Sequence, residues 1–126
     1  MSRASPPRAD ERGSGTVLVA GCLLLVSVIA GIALLLSAYV AAQHAAADAA
    51  DLTALAGAAG HVRGSDACAT ARTVARANGV TLVSCSLAGD SFDFVVRVTV
   101  VKQVRSPAGL PGAVTAGAEA GRLSGG

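Results

Sequence analysis

The longest apolar run of the chain covers residues 16–42, where no charged side chain interrupts the series of Val, Leu, Ile, Ala and Gly. A helix rises about 1.5 Å per residue and the hydrocarbon core of a bilayer is about 30 Å thick, so about 20 such residues cross it. A cleaved secretory signal has a shorter apolar region and a small-x-small cleavage site, which the sequence around Tyr39 fits poorly. The pattern therefore predicts a transmembrane helix that remains as an anchor.

The residues after the apolar run are rich in Ala and Leu and contain no proline before Gly57 and Gly60. They predict that the helix continues as an amphipathic helix to about residue 60, with these two glycines as stop signals. Small residues also recur along one side of the span at spacings of seven and four, which would let helices approach closely in lipid. An Ala-rich segment gives such a pattern by chance equally well. The members of this helix-packing stripe are Ala20, Ser27, Gly31, Ala38 and Ala42.

A second, short helix is predicted from Ser65, which would cap it, with Asp66 in its first turn and Asn78-Gly79 at its end. Its apolar face would consist of Ala67, Ala71, Val74 and Ala75.

Alternation of apolar and polar residues then predicts β-structure. Residues 80–87 form a first strand, residues 88–91 a turn and residues 92–105 a longer, half-buried antiparallel strand that Pro107 and Pro111 terminate. Its apolar face contains Phe92, Phe94, Val96, Val98 and Val100, and its polar face Asp93, Arg97, Thr99, Gln103 and Arg105. A weaker alternation in Val114, Ala116, Ala118 and Ala120 indicates a third strand.

The fold class predicted is α+β: a long N-terminal transmembrane helix, a short helix, and a small antiparallel sheet of two to three strands. Arg3, Arg8 and Arg12 precede the span, and no Lys or Arg follows them until Arg63. Because basic residues near a span tend to stay in the cytoplasm, this asymmetry predicts a cytoplasmic N-terminus. Residues 1–15 are then a disordered cytoplasmic tail, and residues 61–106 a small extracytoplasmic domain in a cell-membrane protein. Residues 107–126 are a separate Gly/Pro/Ala-rich C-terminal segment whose end frays.

Composition limits the function. Aromatic residues make up 2% of the chain, so the extracytoplasmic domain has few large side chains with which to build a core. The net charge of +2 and the lack of a basic, aromatic-rich cluster argue against a nucleic-acid partner. No phosphate loop, zinc-protease helix or nucleophile elbow is present, so we expect neither an enzyme nor a cofactor or small-molecule substrate.

The three cysteines differ in location. Cys22 lies in the span and is interpreted as a small apolar residue. Cys68 and Cys85 both fall on the predicted outer side, where an oxidising compartment and a weak core favour a disulfide. Two free thiols are the less favoured alternative.

Other polar residues give weak signals. His44, Asp48, Asp51 and His61 could be drawn as metal ligands, but on an Ala-rich helix just above a membrane they fit a solvated face better. Ser84, Ser86 and Ser91 have no general base nearby in the sequence. Arg72 and Arg76 lie one helical turn apart and could contact an anionic polymer, although such a pair is usually only solvated.

The sequence resembles the TadE/TadG-like proteins of the Flp (Tad) pilus and related secretion systems. Residues 11–17, ERGSGTV, are similar to the family's entry into the span, and residues 43–56 resemble its Ala-Asp-x-Ala-Ala-Leu-Ala stretch. The stretch from Cys68 to Cys85 resembles a subgroup of short TadE-like proteins from high-GC Gram-positive bacteria, whose genes neighbour secretion and helicase genes.

The resemblance implies a pilin-like plan, a membrane-anchored helix with a small external head, and partners among membrane lipid and other Tad-like membrane or pilin subunits. In pilins a peptidase cuts after a glycine and leaves a glutamate at the fifth mature position. Here Gly13 and Gly15 are the candidate processing sites, yet counting from them gives Leu18 and Ala20, and the span holds no carboxylate. An unprocessed, TadG-like anchor therefore fits better.

These observations predict a non-enzymatic, single-pass membrane protein that serves as a minor pseudopilin-like or accessory component of a Tad/Flp-type pilus or secretion system. The first alternative is a membrane-anchored module that binds a cell-envelope component and does not assemble. Its contacts would be the arginines of the second helix and the polar face of the long strand. A third reading is a small enzyme or inhibitor released by signal cleavage.

Overall fold

The computed structural model describes residues 8–105, 109 and 111–124, with the side chains from residue 13 onward. Its elements in chain order are α1 (Arg8–Val62), α2 (Ala67–Ala77), β1 (Thr81–Gly89), β2 (Phe94–Arg105) and β3 (Pro111–Arg122). This confirms the predicted α+β class, with a long apolar N-terminal helix, a short helix and a three-stranded antiparallel sheet. The chain divides into two compact units, Met1–Leu36 and Ser37–Gly126, with the division inside α1.

Helix α1 begins earlier than the sequence predicted and ends close to the predicted residue. It begins at Arg8, so the part of the tail from residue 8 to residue 15 is helical rather than disordered, and residues 1–7 lie outside the described part. Asp10 and Glu11 fall in the first turn, where acidic residues favour a helix start, and no proline follows Pro7 before the apolar run. The helix ends at Val62.

Gly57 and Gly60 do not stop α1, contrary to the prediction, because they serve close packing instead. A Cβ atom built on Gly57 would lie 3.0 Å from Val96 Cγ1 and 3.2 Å from the Ala67 carbonyl oxygen. One built on Gly60 would lie 2.7 Å from Thr70 Oγ1. Glycine lowers helix propensity at both positions, and the close packing of α2 and β2 against α1 offsets that loss.

The core of the second unit lies between α1, α2 and one face of the sheet. Phe94, Val96, Val98 and Val100 of β2 are at most 2% exposed, which confirms the predicted apolar face for these four residues. Alanines of the two helices and small residues of β3 cover them, in keeping with the scarcity of large side chains. The helical members of the core are Ala42, Ala46, Ala49, Ala50, Ala54, Ala67, Ala71 and Ala75.

Helix α2 is capped by Asp66, whose carboxylate accepts a hydrogen bond of 3.0 Å from the Ala69 N–H. The predicted cap, Ser65, is therefore wrong by one residue, and Asp66 precedes the first turn rather than lying in it. The C-terminal end is as predicted: Asn78 is the C-cap and Gly79 adopts a φ of 73°. The Val80 N–H then donates to the Ala75 carbonyl oxygen at 3.0 Å, which closes the helix in a Schellman-type arrangement.

The sheet has the order β1-β2-β3, with both neighbouring pairs antiparallel. The turn between β1 and β2 comes two residues later than predicted, because the Asp90 N–H donates to the Asp93 carbonyl oxygen and Gly89 pairs with Phe94. Phe92 consequently lies in the turn and is 74% exposed, so its predicted place on the buried face is wrong. Alternation alone could not separate the last turn residue from the first strand residue.

Strand β3 confirms the third strand that the weak alternation indicated, with Val114, Ala116 and Ala118 buried and Ala120 half-buried. It pairs with β2 over its full length, from Arg105 opposite Pro111 to Phe94 opposite Arg122. The predicted boundary at residue 106 therefore cuts through one sheet, and Pro111 begins a strand. Pro107 and the last two residues lie outside the described part.

Candidate membrane anchor and interaction surfaces

The apolar part of α1 is uncovered in the first unit. Every side chain from Gly13 to Leu36 is exposed, including Leu18 at 69% and Ile29 at 58%. By length and composition, this is one helix able to cross a membrane. A contiguous apolar surface of this extent is unfavourable in water, and its backbone polar groups are paired within the helix as a bilayer requires.

Only part of the predicted helix-packing stripe is exposed. Ala20, Ser27 and Gly31 are exposed, and a Cβ atom on Gly31 would meet nothing within 4 Å. The Ser27 hydroxyl donates to the Leu23 carbonyl oxygen at 2.8 Å, so its polar group is satisfied within the helix. Ala38 is half-buried and Ala42 is 8% exposed in the core of the second unit. The association of helices through the stripe stays a prediction.

The candidate processing sites both lie inside α1. Gly13 and Gly15 are exposed, and a Cβ atom on either would meet nothing within 4 Å. No packing constraint in the described residues accounts for these two glycines, and cleavage after either stays a prediction.

Cys68 and Cys85 form a disulfide, as predicted, with their Cα atoms 5.8 Å apart. It joins the start of α2 to the middle of β1, across a sequence separation of 17 residues. The helix contributes only small side chains to the core, so the covalent link supplements a weak apolar contact. Cys22 is a free thiol on the exposed apolar helix.

The face of the sheet turned away from the core carries an ion pair between β2 and β3. Arg97 of β2 lies directly opposite Glu119 of β3, and the Arg97 Nε–H donates to a Glu119 carboxylate oxygen. The two side chains are 67% and 52% exposed, so this ion pair contributes little to stability. Thr99, next along this face of β2, is opposite Gly117.

The turn between β1 and β2 gathers two carboxylates. Asp90 accepts 2.8 Å hydrogen bonds from the N–H groups of Asp93 and Phe92, which lower its pKa in that order of effect. Hydrogen bonds from Ser124, chiefly from its side chain and also from its N–H, lower the pKa of Asp93. Asp93 thereby ties the end of β3 to this turn.

His61 joins the end of α1 to the same region. Its ring lies 4.4 Å from the Phe94 ring, centroid to centroid, and its Nε2 is 3.3 Å from the Asp90 carbonyl oxygen. His61 is thus engaged in packing against the turn. His44, Asp48 and Asp51 are exposed on α1, and within the described ranges no group of three His, Cys, Asp or Glu side chains is arranged to hold a metal ion.

The remaining predicted contact residues are dispersed. Arg72 and Arg76 are exposed on α2, and Ser84 and Ser86 are exposed on β1, with Ser91 in the turn. The sequence did not single out Gln43, whose Nε2–H donates to the Thr115 carbonyl oxygen at 3.2 Å and so joins α1 to β3. Nothing in the local pattern identifies this contact, because it depends on the register of a strand 72 residues away.

Comparisons with known proteins give no match for this chain, neither among family models, nor among curated proteins, nor among solved structures.

Proposed function

We propose that the protein is a single-pass membrane protein with a cytoplasmic N-terminus, an uncleaved apolar helix and an extracytoplasmic α+β domain. It acts as a minor pseudopilin-like or accessory subunit of a Tad/Flp-type pilus or secretion system. Its partners are membrane lipid and other membrane or pilin-like subunits of that machine. The cell membrane is the compartment that suits an uncleaved anchor with a disulfide-bonded external domain.

The observation that carries this proposal is the dual use of α1. One helix, Arg8–Val62, contains an entirely exposed apolar segment and then supplies Ala42, Ala46 and Ala50 to the core of the small domain. A signal cleavage near residue 40 would cut the continuous helix α1 just before Ala42, which is 8% exposed in that core. The shared helix thus favours a retained anchor over the released enzyme or inhibitor.

The lack of a carboxylate in the apolar segment distinguishes an accessory subunit from a polymerising pilin. In pilins the intramembrane glutamate pairs with the N-terminus of a neighbouring subunit, and an uncompensated charge in lipid is costly. Neither Leu18 nor Ala20 could make that pair. The chain is therefore an accessory subunit of the pilus or secretion system and does not form the shaft of a filament.

Topology and processing are tested on the full chain in native membranes. Cys22→Ala removes the free thiol, and a single cysteine is then placed at Ser14 or at Ala77. A membrane-impermeant maleimide applied to intact cells should label the Ala77→Cys protein and leave the Ser14→Cys protein unlabelled until the membrane is opened. The intact mass should correspond to an uncleaved chain carrying one disulfide. Labelling of Ser14→Cys alone would refute the cytoplasmic N-terminus. A mature form beginning near residue 40 would refute the retained anchor.

The envelope-binding alternative has one observation in its favour, the exposure of Arg72 and Arg76 on α2. Crosslinking in membranes separates the two functions. Adducts with other membrane or pilin-like subunits support the assembly role, whereas adducts with cell-wall polymer that disappear in an Arg72→Gln, Arg76→Gln variant support the binding module. Capture of monomer alone counts against assembly.

A further inference from the structure

We infer that the ends of β2 and β3 around Lys102 and Arg105 rest on the anionic headgroup surface of the membrane that α1 crosses. This inference rests on the proposed function, in which the apolar part of α1 lies in a bilayer. It adds a second lipid contact, made by the sheet, to the one made by the helix.

Two contacts fix the direction of the strands relative to α1 within the second unit. His61, near the end of α1, lies against Phe94 at the start of β2, whereas Gln43 binds Thr115, which is paired with Val101. Strand β2 therefore runs antiparallel to α1. Beyond Val101, it continues for four residues to Arg105. The residues from Lys102 to Arg105 therefore lie past the level of Gln43, at the end of the sheet nearest the beginning of the unit.

The part of α1 beside those strand ends is partly covered by the second unit. Residues 37–42 belong to the apolar run, yet Ala38 is half-buried and Ala42 is 8% exposed within the second unit. Val104 and Val114 belong to the same packing as Ala42. Lipid tails cannot reach the covered side of this helical stretch. Because about 20 apolar residues suffice to cross the hydrocarbon core, these last residues of the run are not needed inside it.

Tyr39 supports a boundary at this level. It is the only tyrosine of the chain and is 60% exposed on the same stretch of α1. Tyrosine is enriched where hydrocarbon meets headgroups, because its ring is apolar and its hydroxyl is polar. The interface is thus expected at Tyr39, beside the ends of β2 and β3.

The strand ends near this interface carry positive charge. From residue 94 to residue 118 the sequence contains no acidic residue, while Lys102 and Arg105 lie in the segment that approaches the interface. Arg105 is exposed, and Lys102 is half-buried, as suits an aliphatic stem packed on protein with its ammonium group outside. Within the described residues, the only ion pair joins Arg97 and Glu119, so neither cation is neutralised there. The carboxylates of the turn, Asp90 and Asp93, lie at the opposite end of the sheet.

Charge complementarity selects an anionic bilayer surface as the partner. A Lys or Arg near such a surface gains about 1 kcal/mol, roughly a fivefold change in the docking equilibrium for each cation. Two cations beside an anchored helix would hold the sheet against the headgroups at low salt, and salt would weaken the contact because it screens the charges.

The test uses the full chain in vesicles of phosphatidylcholine, with and without added phosphatidylglycerol, both containing a headgroup-attached quencher. A fluorophore is placed at Gln103→Cys or, as the matched control, at Ser91→Cys in the opposite turn, each with Cys22→Ala. We expect stronger quenching at position 103 than at position 91, enhanced by phosphatidylglycerol. The double variant Lys102→Gln, Arg105→Gln should lose this enhancement, and Arg72→Gln, Arg76→Gln should retain it.

Equal quenching at the two positions would overturn the inference. So would quenching at position 103 that is the same with and without phosphatidylglycerol and is unchanged in the Lys102→Gln, Arg105→Gln variant. Formation of the Cys68–Cys85 disulfide in each variant checks that the domain has folded. Alkaline carbonate extraction separates this result from the proposed function. A chain that stays in the membrane pellet without headgroup contact refutes the inference alone, and a chain that is released refutes the anchor itself.

Discussion

Gly60 of α1 faces Thr70 of α2 so closely that a Cβ atom built on the glycine would lie 2.7 Å from Thr70 Oγ1 and 3.0 Å from Thr70 Cβ. Rotation of the Thr70 side chain cannot relieve the contact with Thr70 Cβ, because that atom does not move when the side chain rotates. The Thr70 hydroxyl is also engaged, since it donates to the Asp66 carbonyl oxygen at 2.9 Å. The two helices of the small domain therefore pack at a distance that only glycine permits.

Gly60→Ala is expected to destabilise the domain even though alanine is the better helix former. The substitution gains about 1 kcal/mol of helix propensity, and the overpacking costs about 1–3 kcal/mol, so the net loss is about 1 kcal/mol. Urea unfolding monitored by circular dichroism measures it. Gly31→Ala, in the same helix where a Cβ atom meets nothing, is the control and should cause no loss. Adding Thr70→Ala should recover part of the loss, and full additivity of the two substitutions would contradict the proposed clash.

Breaking the Cys68–Cys85 disulfide should cost about 3 kcal/mol of unfolding free energy, because the link restricts a loop of about this length in the unfolded chain. The Cys68→Ser, Cys85→Ser variant and the reduced native chain should unfold at similarly lowered urea concentrations. Cys22→Ser leaves the pair intact and should unfold like the native domain. Equal stability with and without reductant would mean that the helix and sheet contacts alone hold α2.

The sequence predicted the fold well wherever the physical signal is local. The alternation of Phe94, Val96, Val98 and Val100 identified the buried face of β2, and Asn78-Gly79 identified the end of α2. These features depend on side-chain period and on backbone freedom, which neighbouring residues fix.

The wrong predictions have non-local causes. Gly57 and Gly60 look like helix stops until the positions of Val96 and Thr70 are known, because a glycine that permits close packing has the same local appearance as one that ends a helix. The place of β3 in the sheet was only weakly indicated, since its buried residues are mostly alanine. The Gln43 contact to Thr115 needs the strand register, which no local pattern contains.

Acid should destabilise the turn between β1 and β2. The pKa values of Asp90 and Asp93 are lowered in the folded chain by hydrogen bonds to their carboxylates. Their stabilising contribution is present above the unfolded-state pKa of about 3.9 and is lost as the pH falls through the lower folded-state values. The unfolding free energy should therefore fall below about pH 4, in the pH range in which these groups titrate. In Asp90→Asn, Asp93→Asn that fall should be smaller, and an unchanged pH profile would contradict the assignment.

The two faces of β2 should respond very differently to substitution. Val98 is fully buried, so Val98→Ala should cost about 2 kcal/mol through lost burial and a residual cavity. Its neighbour Arg97 pairs with Glu119 on the exposed face, and Arg97→Gln should cost no more than about 0.5 kcal/mol. A double-mutant cycle with Glu119→Gln, followed by urea unfolding, isolates the ion pair. A coupling energy well above about 1 kcal/mol would show that the pair is more than an exposed contact.

A single substitution can test whether helices associate in the membrane through the helix-packing stripe. If copies of α1, or α1 and another subunit, pack through the free part of the stripe, then Gly31→Leu should weaken association strongly, because the new side chain keeps the backbones apart. Ala33→Leu adds a similar side chain about 200° around the helix from Gly31 and is the matched control. Energy transfer between labelled chains in vesicles measures association between copies, and crosslinking in native membranes measures it with other subunits. Equal effects of the two substitutions would mean that the small residues at Ala20, Ser27 and Gly31 reflect alanine-rich composition alone.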